Sequence, residues 1–155
     1  MNSEARTPLF DRLVDEAPEV RREARPLRTL TRPELAESVR RELERLFNTR
    51  LPVPPHRLEG RPRTVIDYGI PDFGDLSPRA TADRERLGRL LREAIEAFEP
   101  RLTQARVTVE PLGGDELALG ARIEGVLVVE EVAEPVSFMT VFAQKLDGIE
   151  VHAAA

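Results

Sequence analysis

The chain has 155 residues, 41% hydrophobic and 33% charged, which suits one globular domain with a real core and argues against a disordered chain. A formal net charge of -5 gives no general reason to expect nucleic acid as a partner. The absence of cysteine excludes disulfides, thiolate catalysis and cysteine-ligated zinc, and permits a reducing compartment.

Residues 1–30 read as an N-terminal arm. Leu9, Phe10, Leu13 and Val14 fit one short helix, and Pro18 and Pro26, set among charges, make the following stretch a tether. So short an apolar helix cannot bury itself alone, and it docks either on its own domain or on another subunit.

Thr31 opens the first long helix, because its hydroxyl can cap the free amides while Glu34, three residues on, reaches back in a capping box. Leu35, Val39, Leu43, Leu46 and Phe47 recur at helical spacing and form one apolar stripe. Arg40, Arg41, Glu42, Glu44 and Arg45 lie opposite and are expected to face water, although aligned arginines can also hold a partner's carboxylates. Asn48-Thr49-Arg50 closes the helix, and Pro52, Pro54, Pro55, Gly60 and Pro62 predict an exposed loop up to about Arg63.

A short apolar segment from Val65 to Ile70 then leads into the turn signal Pro71-Asp72-Phe73-Gly74-Asp75. Asp67, Asp72 and Asp75 lack the ligand order and closing glutamate of a calcium loop, so no metal site is expected. The second long helix starts at Ser77-Pro78 or at Thr81 and buries Leu87, Leu91, Ala94, Ile95 and Phe98, with Arg86, Arg89, Arg92, Glu93 and Glu96 on the wet side.

That helix must end at Phe98-Glu99-Pro100-Arg101-Leu102, since proline lacks a backbone donor and disfavours helical angles in the residue before it. Glu99 and Arg101 thus flank a rigid corner. Two readings stay open: an exposed element that recognises a partner's groups, or an internal clamp between layers. An exposed arginine predicts that Arg101→Ala leaves the domain folded, whereas a clamp predicts a melting temperature lowered by several degrees.

Beyond the corner the pattern alternates. Ala105, Val107 and Val109 mark a first strand, and Gly113-Gly114-Asp115 a turn. A long second strand runs from Leu117 to Val129, with Gly120 and Gly125 free to bend it. A third spans about Val136 to Ala143, with Phe138 and Phe142 on one face and Met139 and Val141 on the other; one of these faces would be covered by a helix and the other by a partner. Asp147-Gly148 signals a hairpin into a short last strand through Ile149 and Val151, whose open edge would invite another chain's strand. The expected class is α+β: two main helices, plus the short N-terminal one, packed on one face of an antiparallel sheet of about four strands. Residues 31–155 would form that single domain.

Little here points to catalysis. A general acid needs a protonated carboxyl in an apolar pocket, and Arg101, two places from Glu99, favours the ionised form instead. No nucleophile motif or phosphate-cradling glycine loop is present, and His56 and His152 are expected at the surface. With 5% aromatic residues and no tryptophan, a stacking surface for sugars or single strands is not expected. No apolar run approaches the ~20 residues that cross a bilayer, and no secretory signal opens the chain, so a cytoplasmic interaction domain is expected.

Four blocks in order resemble one family: Leu9-Phe10-Asp11-Arg12-Leu13; Ser38 to Glu44 running on to Leu46-Phe47-Asn48-Thr49-Arg50; Tyr68-Gly69-Ile70-Pro71-Asp72-Phe73; and Phe98-Glu99-Pro100-Arg101-Leu102. The chain resembles the baseplate family that includes the type VI secretion subunit TssE and the wedge proteins of contractile-tailed phages. The opening block and the Asn-Thr-Arg ending favour the secretion branch. The resemblance implies a structural, non-enzymatic, cytoplasmic baseplate component without cofactor, metal or small-molecule substrate. Its implied partners are wedge subunits of the TssF, TssG and TssK types and sheath subunits of the TssB and TssC types, with Glu99, Pro100 and Arg101 as the recognition element and strand edges offered to the first sheath ring. A single arginine after Asn48-Thr49 and the prolines at 52, 54 and 55 depart from the family pattern and affect the loop. Since members of the family have been called lysozyme-like, a muralytic enzyme using Glu99 is one rival; a small regulatory adaptor is the other.

Overall fold

A computed structural model describes residues 29–58, 60–112, 118–129, 132–143 and 148–154, together with 5–6, 13 and 18–19. The helix expected at 9–14 lies outside the described residues apart from the exposed Leu13, as do the turn at 113–115 and Asp147. Ala5–Arg6 (β1) pairs antiparallel with Thr29–Leu30 (β2), and Leu30 enters the core.

Helix α1, Arg32–Asn48, starts where the cap pattern places it. The Thr31 backbone N–H and hydroxyl both donate to Glu34 Oε2, at 2.7 and 2.6 Å, so the side chain satisfies a donor that the first helical turn leaves free. The whole expected stripe is buried, and Ser38 is buried beside it. Helix α2, Thr81–Phe98, takes the later of its two expected starts, with Asp83 accepting from Ser77 N at 2.9 Å. Leu87, Leu91, Ala94 and Ile95 are buried and Phe98 is partly so, while the five charged residues opposite are exposed.

Between the helices the loop is more ordered than its prolines imply. Arg50–Leu51 (β3) pairs in parallel with Ile70–Pro71 (β4), and single 3-10 turns form at Pro55–Arg57 and Val65–Asp67. The second turn inverts the apolar expectation: Val65 and Ile66 are 87% and 83% exposed, and Asp67 is the buried residue.

The sheet joins Leu102–Pro111 (β5), Ala118–Val129 (β6), Val132–Ala143 (β7) and Val151–Ala153 (β8) in that order, all antiparallel. The register sets Leu119 opposite Phe142 and Ile123 opposite Phe138, so large apolar side chains pair across one face. A bulge in β5 between Thr103 and Arg106 places Gln104 at φ 54°. Gly125 makes room for it, because a Cβ there would lie 2.8 Å from Leu102 Cδ1 and 3.0 Å from Thr103 O. The glycine thus seats the bulge, and β6 runs on unbroken. Buried residues of both helices and of the sheet form one hydrophobic cluster around Phe47, Phe138 and Ile123. The architecture is α+β, with two main helices and a four-stranded antiparallel sheet.

Candidate protein-protein interface

The corner between α2 and β5 is a hydrogen-bonded turn. Glu99 N donates to Ile95 O at 2.8 Å as the last helical bond, and Leu102 N donates to Glu99 O at 3.1 Å. Pro100 occupies the second turn position, where its ring constraint costs nothing, and is exposed. The flanking charges are not. Glu99 is 3% exposed, and Arg101 grips it with Nε at 2.7 Å from Oε1 and Nη2 at 2.5 Å from Oε2. Arg101 Nη1 also donates to Ser38 Oγ of α1 at 2.9 Å. The expectation of an exposed corner arginine is therefore corrected: its side chain is 18% exposed and locks α1, the end of α2 and the start of β5 together. The planar fork of arginine makes one side chain sufficient for all three.

Two further motif segments, Asn48-Thr49-Arg50 and Tyr68 to Phe73, lie in contact with this corner or with each other, while Leu9-Phe10-Asp11-Arg12-Leu13 falls outside the described residues apart from Leu13. Tyr68 meets Phe98 edge to face, with ring centroids 5.2 Å apart. Gly69 holds φ 114° and lets Thr49 O approach so closely that a Cβ would lie 2.4 Å from it; Ile70 N then donates to Thr49 O at 3.0 Å. The Arg50 guanidinium covers the Phe73 ring at 4.1 Å, and Phe73 meets Phe142 edge on. Asn-Thr-Arg, Tyr-Gly-Ile-Pro-Asp-Phe and Glu-Pro-Arg are thus one spatial unit, although the sequence separates them by up to fifty residues.

The family model of the baseplate wedge protein gp25 matches residues 33–132 of the 155, a span that contains all of this unit. This chain belongs to the gp25 family of baseplate wedge proteins. Among solved structures, a chain of "The baseplate complex from the type VI secretion system" has the same fold, at 18% identity and TM-score 0.52 over 79% of this chain and 96% of that chain. No curated protein matches.

In this gp25-family chain the last strand is an edge of the sheet, as its place in the sequence suggests, and α1 covers only the start of that edge. Asn48 brackets Ile149, its Nδ2 donating to Ile149 O at 2.7 Å and its Oδ1 accepting from Ile149 N at 2.8 Å. Arg40 Nη1 donates to Val151 O at 2.8 Å while its other nitrogens hold Glu37. The charged side of α1, expected to be wet, is therefore partly buried against β8, and Arg40, Arg41, Glu42 and Glu44 are half-buried. Among the described residues, unpaired strand edge remains on β5, on the outer side of β8 and on the parts of β7 that lie beyond its pairing with β8.

Asp67 accepts from Arg61 at 2.6 and 2.8 Å and from Thr64 N at 2.9 Å. The Arg61 guanidinium, helped by the Thr64 amide, holds its carboxyl well below the usual carboxylate range. Asp72 and Asp75 are exposed, as are His56 and His152. Both Glu99 oxygens are engaged by Arg101, an arrangement that opposes its use as a general acid on a substrate.

Proposed function

We propose that this chain is a structural, TssE-like component of a type VI secretion baseplate, working in the cytoplasm and not as an enzyme. It would join wedge subunits of the TssF, TssG and TssK types and seed the contractile sheath of TssB and TssC types. The observation that carries this reading is the family match across 33–132, which takes in the whole Glu-Pro-Arg unit. The fold shared with a chain of a type VI baseplate complex adds to it. In this reading residues 31–155 act as one domain with 1–30 as its arm, and the two helices cover the sheet face bearing Leu119, Ile123 and Phe138.

Glu99, Pro100 and Arg101 remain the proposed recognition element, with a division of labour. The Glu99 and Arg101 pair sets the shape of the turn, and Pro100 with the outer rim of Arg101 is what a partner meets. Preorganisation of this kind lowers the ordering cost of binding. The open edge of β8 at the end of the chain, with the unpaired edge of β5, is the proposed place for strand addition by sheath subunits.

The test is a pull-down of the tagged protein from its native cells with mass spectrometry, alongside Pro100→Arg, which alters the exposed rim without touching the buried pair. Recovery of baseplate and sheath subunits by the parent, lost in a variant that melts within about 3 °C of it, is the expected result. Equal recovery by both would remove the corner from the interface. A single regulator would instead favour the adaptor, and muralytic activity abolished by Glu99→Gln would favour the enzyme.

A further inference from the structure

The turn at Val65–Asp67 presents the two most exposed large apolar side chains described in this chain on an unusually well-braced support. Arg61 forks onto Asp67 from one side and donates Nε to Arg57 O at 3.1 Å, tying the two 3-10 turns together. Thr64 closes the turn, its Oγ1 lying 3.1 Å from Asp67 Oδ2. Exposed valine and isoleucine on a mobile loop would need no explanation; on a braced turn they form a knob whose ordering cost is met before any partner arrives.

A second, independent observation lies two residues away. The Arg63 side chain is only 7% exposed, and its Nη1 and Nη2 have no hydrogen-bond partner. Glu93 Oε2 is 3.6 Å from Nη2, too far for a hydrogen bond yet close enough to balance the charge. Buried donors without acceptors are costly, and native structures seldom keep them without a reason. The hollow beside this side chain, between the loop and α2, is lined by Leu58, Arg61, Arg63, Glu93, Glu96 and Ala97. The hollow already holds acid enough, because Glu93 lies against Arg63 and Glu96 also lines it, while Arg61 is spent on Asp67. A further carboxylate would be repelled; what the guanidinium lacks is neutral acceptors.

We propose that 61–66 is a second docking surface, on which a partner protein receives Val65 and Ile66 in an apolar hollow and offers main-chain carbonyl oxygens to Arg63. A hollow beside the last turn of a partner's helix fits this description, since that turn carries carbonyls with no partner of their own. The two halves of the surface are within reach of one partner, because three residues of chain span at most about 11 Å. Arg63 reaches the partner by swinging from under Glu93, which itself is half-exposed. The inference rests on the assembly role proposed above, and a baseplate neighbour is the partner it implies.

A photo-crosslinking side chain placed at Ile66 of the full-length protein in its native cells tests this, with one at Pro100 as the reference site. Crosslinks from Ile66 to apolar residues of a single baseplate subunit are expected. Val65→Ser should cut the yield about tenfold, the loss typical of a buried anchor. Arg63→Met should cut it too, while raising the melting temperature by relieving the unmet donors. Crosslinks from Pro100 but none from Ile66 would overturn the second surface and leave the assembly role standing. Silence at both sites would instead count against the assembly role, and crosslinks from Ile66 to a second copy of this chain would replace the partner by self-association. A melting temperature lowered by Arg63→Met would overturn the role given to that side chain.

Discussion

Removing the Arg101 side chain is the sharpest test of the corner. Arg101→Ala deletes two short bonds to Glu99 and one to Ser38. Glu99, 3% exposed, would keep only the Arg101 backbone N–H at 3.2 Å. Stripping one partner from a buried ion pair costs about 3–5 kcal/mol, because the surviving charge is left desolvated. The partial exposure of Arg101 places this case near the lower end, about 3 kcal/mol. In a domain of this size each kcal/mol moves the midpoint by about 2–4 °C, so a fall of roughly 6–12 °C is expected by calorimetry at pH 7. Replacing both residues, Glu99→Leu with Arg101→Leu, should restore much of the loss, since apolar side chains of similar volume are often neutral there. A single variant melting within about 2 °C of the parent would refute the clamp. The same magnitude warns that lost assembly in Arg101→Ala is no evidence of a broken contact; the exposed Pro100 is the position to vary.

Gly69→Ala should destabilise by about 2–4 kcal/mol, combining a positive φ with a Cβ driven into Thr49 O, and the melt should show it. Asn48→Ala should leave the helices intact by circular dichroism yet speed amide exchange at 149–151, because both bonds that hold Ile149 are lost. Because Arg61 depresses the Asp67 carboxyl, the stability it contributes is complete above about pH 4 and is lost as pH falls toward the lowered folded value. Melts of Asp67→Asn against the parent should therefore differ most at neutral pH and converge in acid. Thr31→Ala should cost about 1 kcal/mol through the lost cap.

Local periodicity made both helices and the sheet strands legible, and Thr31 and Pro100 marked their ends because capping and proline geometry act within a few residues. What the sequence could not show were facts decided at long range. Glu99 and Arg101 read equally well as rim or clamp until Ser38, 63 residues away, was found on the same guanidinium. Arg40 reads as a solvent-facing residue and Asn48 as part of a helix end; both are partners of the segment at 149–151, more than a hundred residues downstream. The segment from Val65 to Ile70 reads only as apolar, because hydropathy cannot register a single 3-10 turn, braced by Arg61, that exposes Val65 and Ile66 and buries Asp67. The spacing of Arg61, Thr64 and Asp67 did carry a capping pattern that could have signalled it.

The bracket of Asn48 around Ile149 joins groups 101 residues apart. A contact of such sequence separation raises the share of non-local pairings in the fold, which is the kind of pairing that slows folding. During synthesis α1 must wait with Arg40 and Asn48 unmatched until residues 149–151 have left the ribosome. The two bonds to Ile149 fasten the segment just before β8 to the end of α1, so the lie of the last strand is set by the first long helix as well as by its sheet neighbour.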